Sequence, residues 1–327
     1  MNRVCKTNEK RIALMGILVL LGSGQVDVSG QSDSSMPDVG KRPVISFVNE
    51  TKSEFEIHWL ASEGAEAAKS MGRVDVGGSL ELQSKLGHRF RVRLSSRDLE
   101  LFYSVAQQKQ KVVVSESASK FRLHGWAIVL NHELWDTIPE QTQTMLKLMS
   151  VQLKRIIDVM PAKPLKRIQQ VKVWINPQYD GVQPKAEYHP GKDWLKENGR
   201  AVEMVKSIEV TNVKNFEFEN KRMPYVMLHE LAHAYHDQVL GFKDVRIREA
   251  FERATDSGVY DDVRRFTGRK YIQDKAYALS NHKEYFAEST EAYFGKNDFF
   301  PFDRQELKQA DAEMEKLLLD IWGEPEK

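Results

Sequence analysis

The sequence predicts a multidomain chain: an N-terminal antiparallel β-sandwich followed by a mainly helical α+β domain. Three observations carry that expectation. Short runs of alternating apolar and polar residues, punctuated by glycine, fill 43–121. Apolar residues at helical spacing dominate 122–327. Within the second part stands His229-Glu230-Leu231-Ala232-His233, whose four-residue spacing sets two imidazoles on one face of a helix.

The bulk numbers bound the answer loosely. A chain of 327 residues fits two domains or one large one. With 41% apolar and 29% charged residues it has an ordinary globular composition. The formal charge of +1 provides no field for nucleic acid or an anionic membrane. At the N-terminus, Arg3, Lys6, Lys10 and Arg11 precede the apolar run 12–21. That run is short for a membrane span, so 1–30 reads as a secretory signal with small residues at Gly24 and Gly30 for cleavage. Export to a secreted or periplasmic location follows, with no membrane attachment after cleavage. Removing 1–30 takes four Lys/Arg and two Asp/Glu and leaves a formal charge of −1. The sole cysteine, Cys5, lies ahead of the apolar run. The exported chain would then hold no disulfide, and any metal must be held by His and carboxylate.

Taken in order, residues 31–42 are polar and read as a flexible linker. Phe55, Ile57 and Trp59, then Leu80 and Leu82, then Phe90, Val92 and Leu94 alternate with polar residues. One apolar face with period two means half-buried antiparallel strands. Gly64, Gly72, Gly77-Gly78 and Gly87 mark turns, and the runs 101–105 and 111–114 complete the sandwich.

Phe47-x-Asn49, Trp59-Leu60, Gly64, Gly77-Gly78 and Leu86-Gly87-His88-x-Phe90-x-Val92 together resemble the β domain of the von Hippel–Lindau tumour suppressor. The resemblance implies a peptide or protein partner for residues 43–121. In that family Tyr, Ser, His and Trp side chains hold a hydroxyproline peptide. Ser84 and His88 match two of these, whereas Lys69 stands near the Tyr position and Phe90 at the Trp position. Half of the pocket is therefore altered.

From about Leu123 the pattern turns helical. Met145, Leu148, Met149, Leu153, Ile156 and Met160 recur at helical spacing until Pro161 and Pro164. The methionines read as core packing. Residues 171–175 read as a strand, followed by the loop 176–200, whose His189 either lines a cleft or is an ordinary loop histidine. Residues 207–218 alternate like a strand and are expected at a sheet edge beside the cleft, where an extended peptide can pair. Residues 245–254 and 259–266 suit amphipathic helices. Asp303 and Glu306 form a capping box opening a last helix, 304–322.

The helix 224–240 begins with Pro224, carries the His-Glu-x-x-His motif and stops at Gly241. A chance match in a chain of this composition is expected on the order of 2% of the time, so context decides. His229 and His233 suit a metal such as zinc, and Glu230 suits a general base beside them. A third ligand must come from elsewhere. A helix capped by Asn281 and ended by Gly295 carries Glu284 and Glu288 on one face, with Glu291 a further step along. One carboxylate of such a pair can bind the ion while the other accepts from a ligating histidine. His236 is either an outer donor to this set or a buried structural histidine.

His229-Glu-Leu-Ala-His233 followed by Glu284-Tyr-Phe-Ala-Glu288 resembles the gluzincin metallopeptidases, among them the catalytic domain of anthrax lethal factor. The resemblance implies a zincin-like fold for 122–327 and Zn2+ on His229, His233 and Glu284. It also implies Glu230 as the base, Tyr277 as an oxyanion donor and Glu288 as the group that orients a ligand histidine. A peptide or protein substrate follows. Two rival readings stand beside it: a non-catalytic exported binding protein with a structural metal, and a zinc amidase acting on small or cell-wall peptides.

Overall fold

Period-two alternation produces strands as expected, and more of them. The computed structural model describes residues 42–61, 68–94 and 99–326. The stretch 1–30 expected to be a signal, nearly all of the expected linker 31–42, and Gly64 lie outside the described residues. Nine strands come first: β1 (Val44–Glu50), β2 (Phe55–Leu60), β3 (Ala68–Val74), β4 (Ser79–Gln83), β5 (Arg89–Leu94), β6 (Leu99–Ser104), β7 (Lys109–Ser115), β8 (Ala118–Leu123) and β9 (Trp126–Asn131). Then follow α1 (Glu133–Thr137), α2 (Pro139–Val159), α3 (Ala162–Ile168), β10 (Val173–Ile175), β11 (Ala186–Tyr188), α4 (Lys192–Glu197), β12 (Ile208–Val210), α5 (Phe216–Arg222) and α6 (Val226–Tyr235). The chain closes with α7 (Val245–Ser257), β13 (Val263–Phe266), β14 (Tyr271–Asp274), α8 (His282–Phe294), α9 (Arg304–Ala310) and α10 (Ala312–Trp322).

A four-stranded antiparallel sheet, β3-β2-β5-β6, faces one end of an eight-stranded sheet ordered β11-β12-β10-β9-β8-β7-β1-β4. Phe47 of β1 reaches across to Phe90 of β5 and Tyr103 of β6, each at 5.8 Å in an edge-to-face arrangement. Their burial makes this the sandwich core. The sandwich is not purely antiparallel, because β1 runs parallel to β7. The change to helix at Leu123 is also corrected. β8 straddles the expected 121/122 boundary, and β9 follows before the first helix. The larger sheet then runs on through β10, β12 and β11 into the helical half.

Other expectations fare unevenly. The 207–218 strand stops at Val210; a 3₁₀ turn at Val213–Asn215 and α5 replace its second half. Val213 and Phe216 are buried three residues apart, a helical spacing hidden inside an alternating run. β12 is also an interior strand, so the free edge belongs to β11. Residues 259–266 form no helix; they feed the β13–β14 hairpin. Asp303 caps α9 by accepting from Glu306 N, but Asp311 caps a second helix, so 304–322 is split. In the β domain, Ser84 Oγ and His88 Nδ1 stand 3.1 Å apart. Phe90 packs inward, 1% exposed, and Lys69 lies on the exposed surface.

β12 is pinned by a buried charge. Glu209 accepts from Asn176 (2.7 Å), Tyr179 (2.8 Å), His189 (3.0 Å) and Arg200 (3.0 Å). Burial alone would raise its pKa, but these partners outweigh it and hold the carboxyl down at about 2, against an ordinary 4.5. A depressed carboxyl contributes stability above its unfolded pKa and loses it as pH falls toward the folded one. The contribution, about 3 kcal/mol, is therefore fully present above about pH 4.5 and lost on the way to pH 2. Urea titrations of the metal-free protein across that window should show a slope that Glu209→Gln flattens. A second test concerns the packing of α6. A Cβ on Gly295 would stand 2.2 Å from Cζ of Tyr225, the residue at the start of α6. Gly295→Ala should cost about 1–3 kcal/mol in urea denaturation; an unshifted midpoint would mean that the ring yields freely.

Candidate metal centre

α6 is apolar on nearly all sides, so it is buried around its circumference: Val226, Met227, Leu228, Leu231, Ala232 and Ala234 are all core residues. His229, Glu230 and His233 line the cleft that opens beside it. Pro224 precedes the helix, which starts at Val226. After Tyr235 the backbone widens into a π turn, His236–Leu240, and ends at Gly241, whose φ of 83° suits glycine. α8 lies against it. The Asn281 side chain caps α8 by accepting from Lys283 N (2.9 Å) and Glu284 N (3.3 Å). That fixes Glu284 in the first turn, where the helix dipole favours an acid.

The two helices bring three ligand atoms together. His229 Nε2 lies 3.1 Å from His233 Nε2 and 3.1 Å from Glu284 Oε2; His233 Nε2 lies 3.2 Å from the same oxygen. His229 Nδ1 stands 2.8 Å from Glu291 Oε1. A carboxylate accepts, so Nδ1 carries a proton and Nε2 is the ring atom that faces Glu284 and His233. Two imidazole nitrogens and a carboxylate oxygen this close need positive charge between them, either a metal ion or a proton that His229 donates to Glu284. Zinc bonds of about 2.0–2.1 Å in a tetrahedron imply ligand separations of about 3.3 Å, close to those observed. The donor set, two imidazoles and one carboxylate, is one that zinc takes in catalytic sites. The residues present fit the ion.

The electrostatics agree. Burial disfavours charge on His229, but Glu284 and Glu291 overcome it and raise its pKa well above the ordinary value. Burial likewise opposes ionisation of Glu284, yet His229 and His233 hold its carboxyl far below the usual range. Burial raises Glu230 despite the two histidines. The Tyr188 backbone N–H faces this carboxylate.

These groups line a cleft of about 550 Å³ together with Lys185, Ala186, Tyr188, Arg222 and Arg265. Tyr277 stands on its rim, half exposed, its pKa raised first by burial and then by Glu284. It thus keeps its proton for donation. Two expected roles change. Glu288 lies 3.7 Å from His229 Nδ1 and instead accepts from Asn297 Nδ2 at 3.0 Å. Glu291, one turn further along α8, is the orienting carboxylate. Glu288 is pushed up by burial and by the neighbouring Glu291 and Asp298 charges. His236 is fully buried among Phe242, His282 and Phe286, with ring centroids 5.0–5.8 Å apart. Burial drives its pKa down to about 3, and it donates to neither ligand histidine. His189 matches neither expectation: it does not line the metal cleft, and it is not an exposed loop residue but is 2% exposed, bonded to the buried Glu209 and stacked on Trp194 at 5.3 Å.

Sequence reasoning missed Arg222, Arg265 and β11. Glu291 was within reach of the pattern, seven residues past Glu284 on the same face. β11 is three residues long, too short for alternation to register. Comparison of the sequence with protein-family models and with curated proteins finds no match.

Glu291→Gln should lower zinc affinity about 10–100-fold in chelator competition, and Glu288→Gln should lower it far less. Equal losses would return the orienting role to Glu288.

Proposed function

We propose that this chain is a zinc-dependent peptidase, acting as an endopeptidase, with a gluzincin-type site in a zincin-like helical domain. One observation carries the reading. His229 Nε2, His233 Nε2 and Glu284 Oε2 converge within 3.2 Å of one another, with the Glu230 carboxylate in the same cleft. His229, His233 and Glu284 would hold the ion. Bound there, zinc supplies Lewis-acid polarisation of a carbonyl and brings the pKa of water toward about 7.

The chain's own groups do the rest. Glu230 takes a proton from the attacking water and returns it to the leaving amine. Its burial raises the carboxyl from 4.5 toward the working range of a base. Tyr277 keeps its hydroxyl proton and donates to the oxyanion as the carbonyl becomes tetrahedral. Glu291 holds the His229 tautomer that leaves Nε2 free.

The substrate class is supported by β11. Lys185 O, His189 N and His189 O bond to the β12 side through Thr211, Ser207 and Lys206. In an antiparallel pair the intervening residues point their backbone groups outward. Ala186 therefore offers its N–H and C=O, and Tyr188 its C=O, beside the cleft, while the Tyr188 N–H faces Glu230. An extended peptide can pair with that edge, which favours a peptide over a compact amide. A purely structural metal site would need neither Glu230 nor Tyr277.

Glu230→Gln should keep zinc and lose about 10²–10⁴-fold in peptide cleavage. Tyr277→Phe should keep zinc and lose on the order of 10²-fold in kcat. The wild-type rate should fall on the acid side as Glu230 takes up its proton. Unchanged cleavage by Glu230→Gln would remove this carboxylate from the reaction.

A further inference from the structure

β11 is the outer strand of the eight-stranded sheet, and Ala186, Glu187 and Tyr188 line the metal cleft. Its main-chain groups alternate in direction. Lys185 and His189 bond to Thr211, Ser207 and Lys206, and Glu187 pairs with Glu209 in the same phase. Ala186 and Tyr188 therefore turn theirs away from β12. Two residues would offer an incoming strand four groups, but here one is already committed. The Tyr188 N–H faces the Glu230 carboxylate. Among the described residues, nothing pairs with the Ala186 N–H, the Ala186 C=O or the Tyr188 C=O. The ladder that β11 offers thus lacks one rung, and the missing rung falls at the general base.

We propose that this missing rung sets the register of a bound peptide. The residue before the scissile bond and the second residue after it each donate a backbone N–H to a β11 carbonyl, so neither position takes proline. The inference rests on the peptidase reading and deepens it by naming the peptides that are excluded. A substrate carbonyl that arrives at Tyr188 finds its strand donor held by Glu230. It must take another partner, and the carbonyl under attack is the one that leaves the ladder. In an antiparallel pairing, the residue opposite Tyr188 owns that carbonyl and gives its N–H to the Tyr188 C=O. The residue opposite Ala186 lies two positions further along the substrate and donates to the Ala186 C=O. A parallel pairing uses the same two substrate N–H groups with the two acceptors exchanged. The requirement is therefore independent of chain direction. The second residue before the bond and the third after it point their N–H groups away from β11. Proline has no N–H to give at either of the two positions.

The test uses the full zinc-loaded protein. β-Casein serves first, to find a bond that is cut, and an internally quenched peptide is built around that bond. Single backbone N-methyl groups are then placed in turn on the second and first residues before the bond and on the second and third after it. Methylation of the first residue before, or of the second after, should lower kcat/KM about tenfold. Methylation at the other two positions should leave it within about twofold. The zinc-loaded Glu230→Gln protein keeps an oxygen that accepts from Tyr188 and binds without cutting. Its Kd values, from fluorescence anisotropy of the same peptides, should show the same two sensitive positions. Equal losses at all four positions, or no loss at the two named, overturn the register and leave the peptidase reading intact. Losses in kcat/KM that the Kd values do not share lie outside binding to β11 and overturn it too. No cleavage of casein by zinc-loaded wild type overturns the peptidase reading and this inference with it.

Discussion

Two imidazole nitrogens and a carboxylate oxygen within 3.2 Å of one another demand positive charge between them, and the rest of the helical half is built to hold them there. The acids behind them sharpen the problem. Glu284, Glu288, Glu291 and Asp298 all gather around His229, and Glu230 lines the same cleft. Arg222 meets Asp298 at 2.6 Å, and Arg265 approaches it at 3.6 Å. Those two guanidinium groups also serve Glu219 and Asp274. Positive charge is thus short, and Glu288 and Glu291 are raised first by burial and then by their acidic neighbours. A divalent cation at the triangle of His229, His233 and Glu284 would supply it. Packing keeps the set from relaxing: Phe286 stacks on Trp322 at 5.8 Å, and Trp322 donates to Thr290 of α8. A close-packed interior gives α8 no room to draw back.

The free edge depends on a second set of contacts. β11 bonds to β12 over three residue pairs, too few to hold an exposed strand on their own. The π turn after α6 compensates. It turns Asp237 and Gln238 toward the Tyr188 hydroxyl, which donates to Asp237 at 2.7 Å and accepts from Gln238 at 3.0 Å. Lys206 pairs with the same aspartate. The helix that carries the ligands therefore also sets the position of the strand beside them. Glu209 fixes the other flank through His189 and Arg200. π turns occur often at functional sites, and here the wider turn has a mechanical use.

What the sequence disclosed, and what it concealed, divides along physical lines. The ligand helix, the Asn281 cap and the Gly295 stop were legible because each is a local rule with few competing interpretations. Met145, Met149 and Met160 were legible as core for the same reason. The parallel pairing of β1 with β7 was not, since period two fixes which face is buried and says nothing of the neighbour's direction. Val263–Phe266 misled because four residues of mixed charge and apolarity satisfy either period. Glu288 and Glu291 could be separated only by three-dimensional reach. The helix face offers both, and the His229 ring meets the one a turn further on.

The two halves of the chain are joined more firmly than two beads on a linker. The eight-stranded sheet runs without a break from β4 of the sandwich to β11 beside the cleft. Its middle is crossed by a buried relay in which Tyr103 of β6, Ser119 of β8 and His132 before α1 stand 2.5 Å and 2.7 Å apart in turn. One link lies in the smaller sheet, one in the larger, and one at the start of the helical half. Burying these three polar groups is tolerable only while all of them remain paired. Sliding the sandwich against the helices would strip partners from each at once. The aromatic packing follows the same line, with Phe102 of β6 set 5.8 Å from Trp135 of α1. A hinge needs a seam where few contacts cross, and none lies between β8 and β10. The β domain is thereby part of the scaffold that fixes β10, β12 and the free edge of β11. A ligand that bent the sandwich would reach the cleft through continuous strands rather than through a flexible joint.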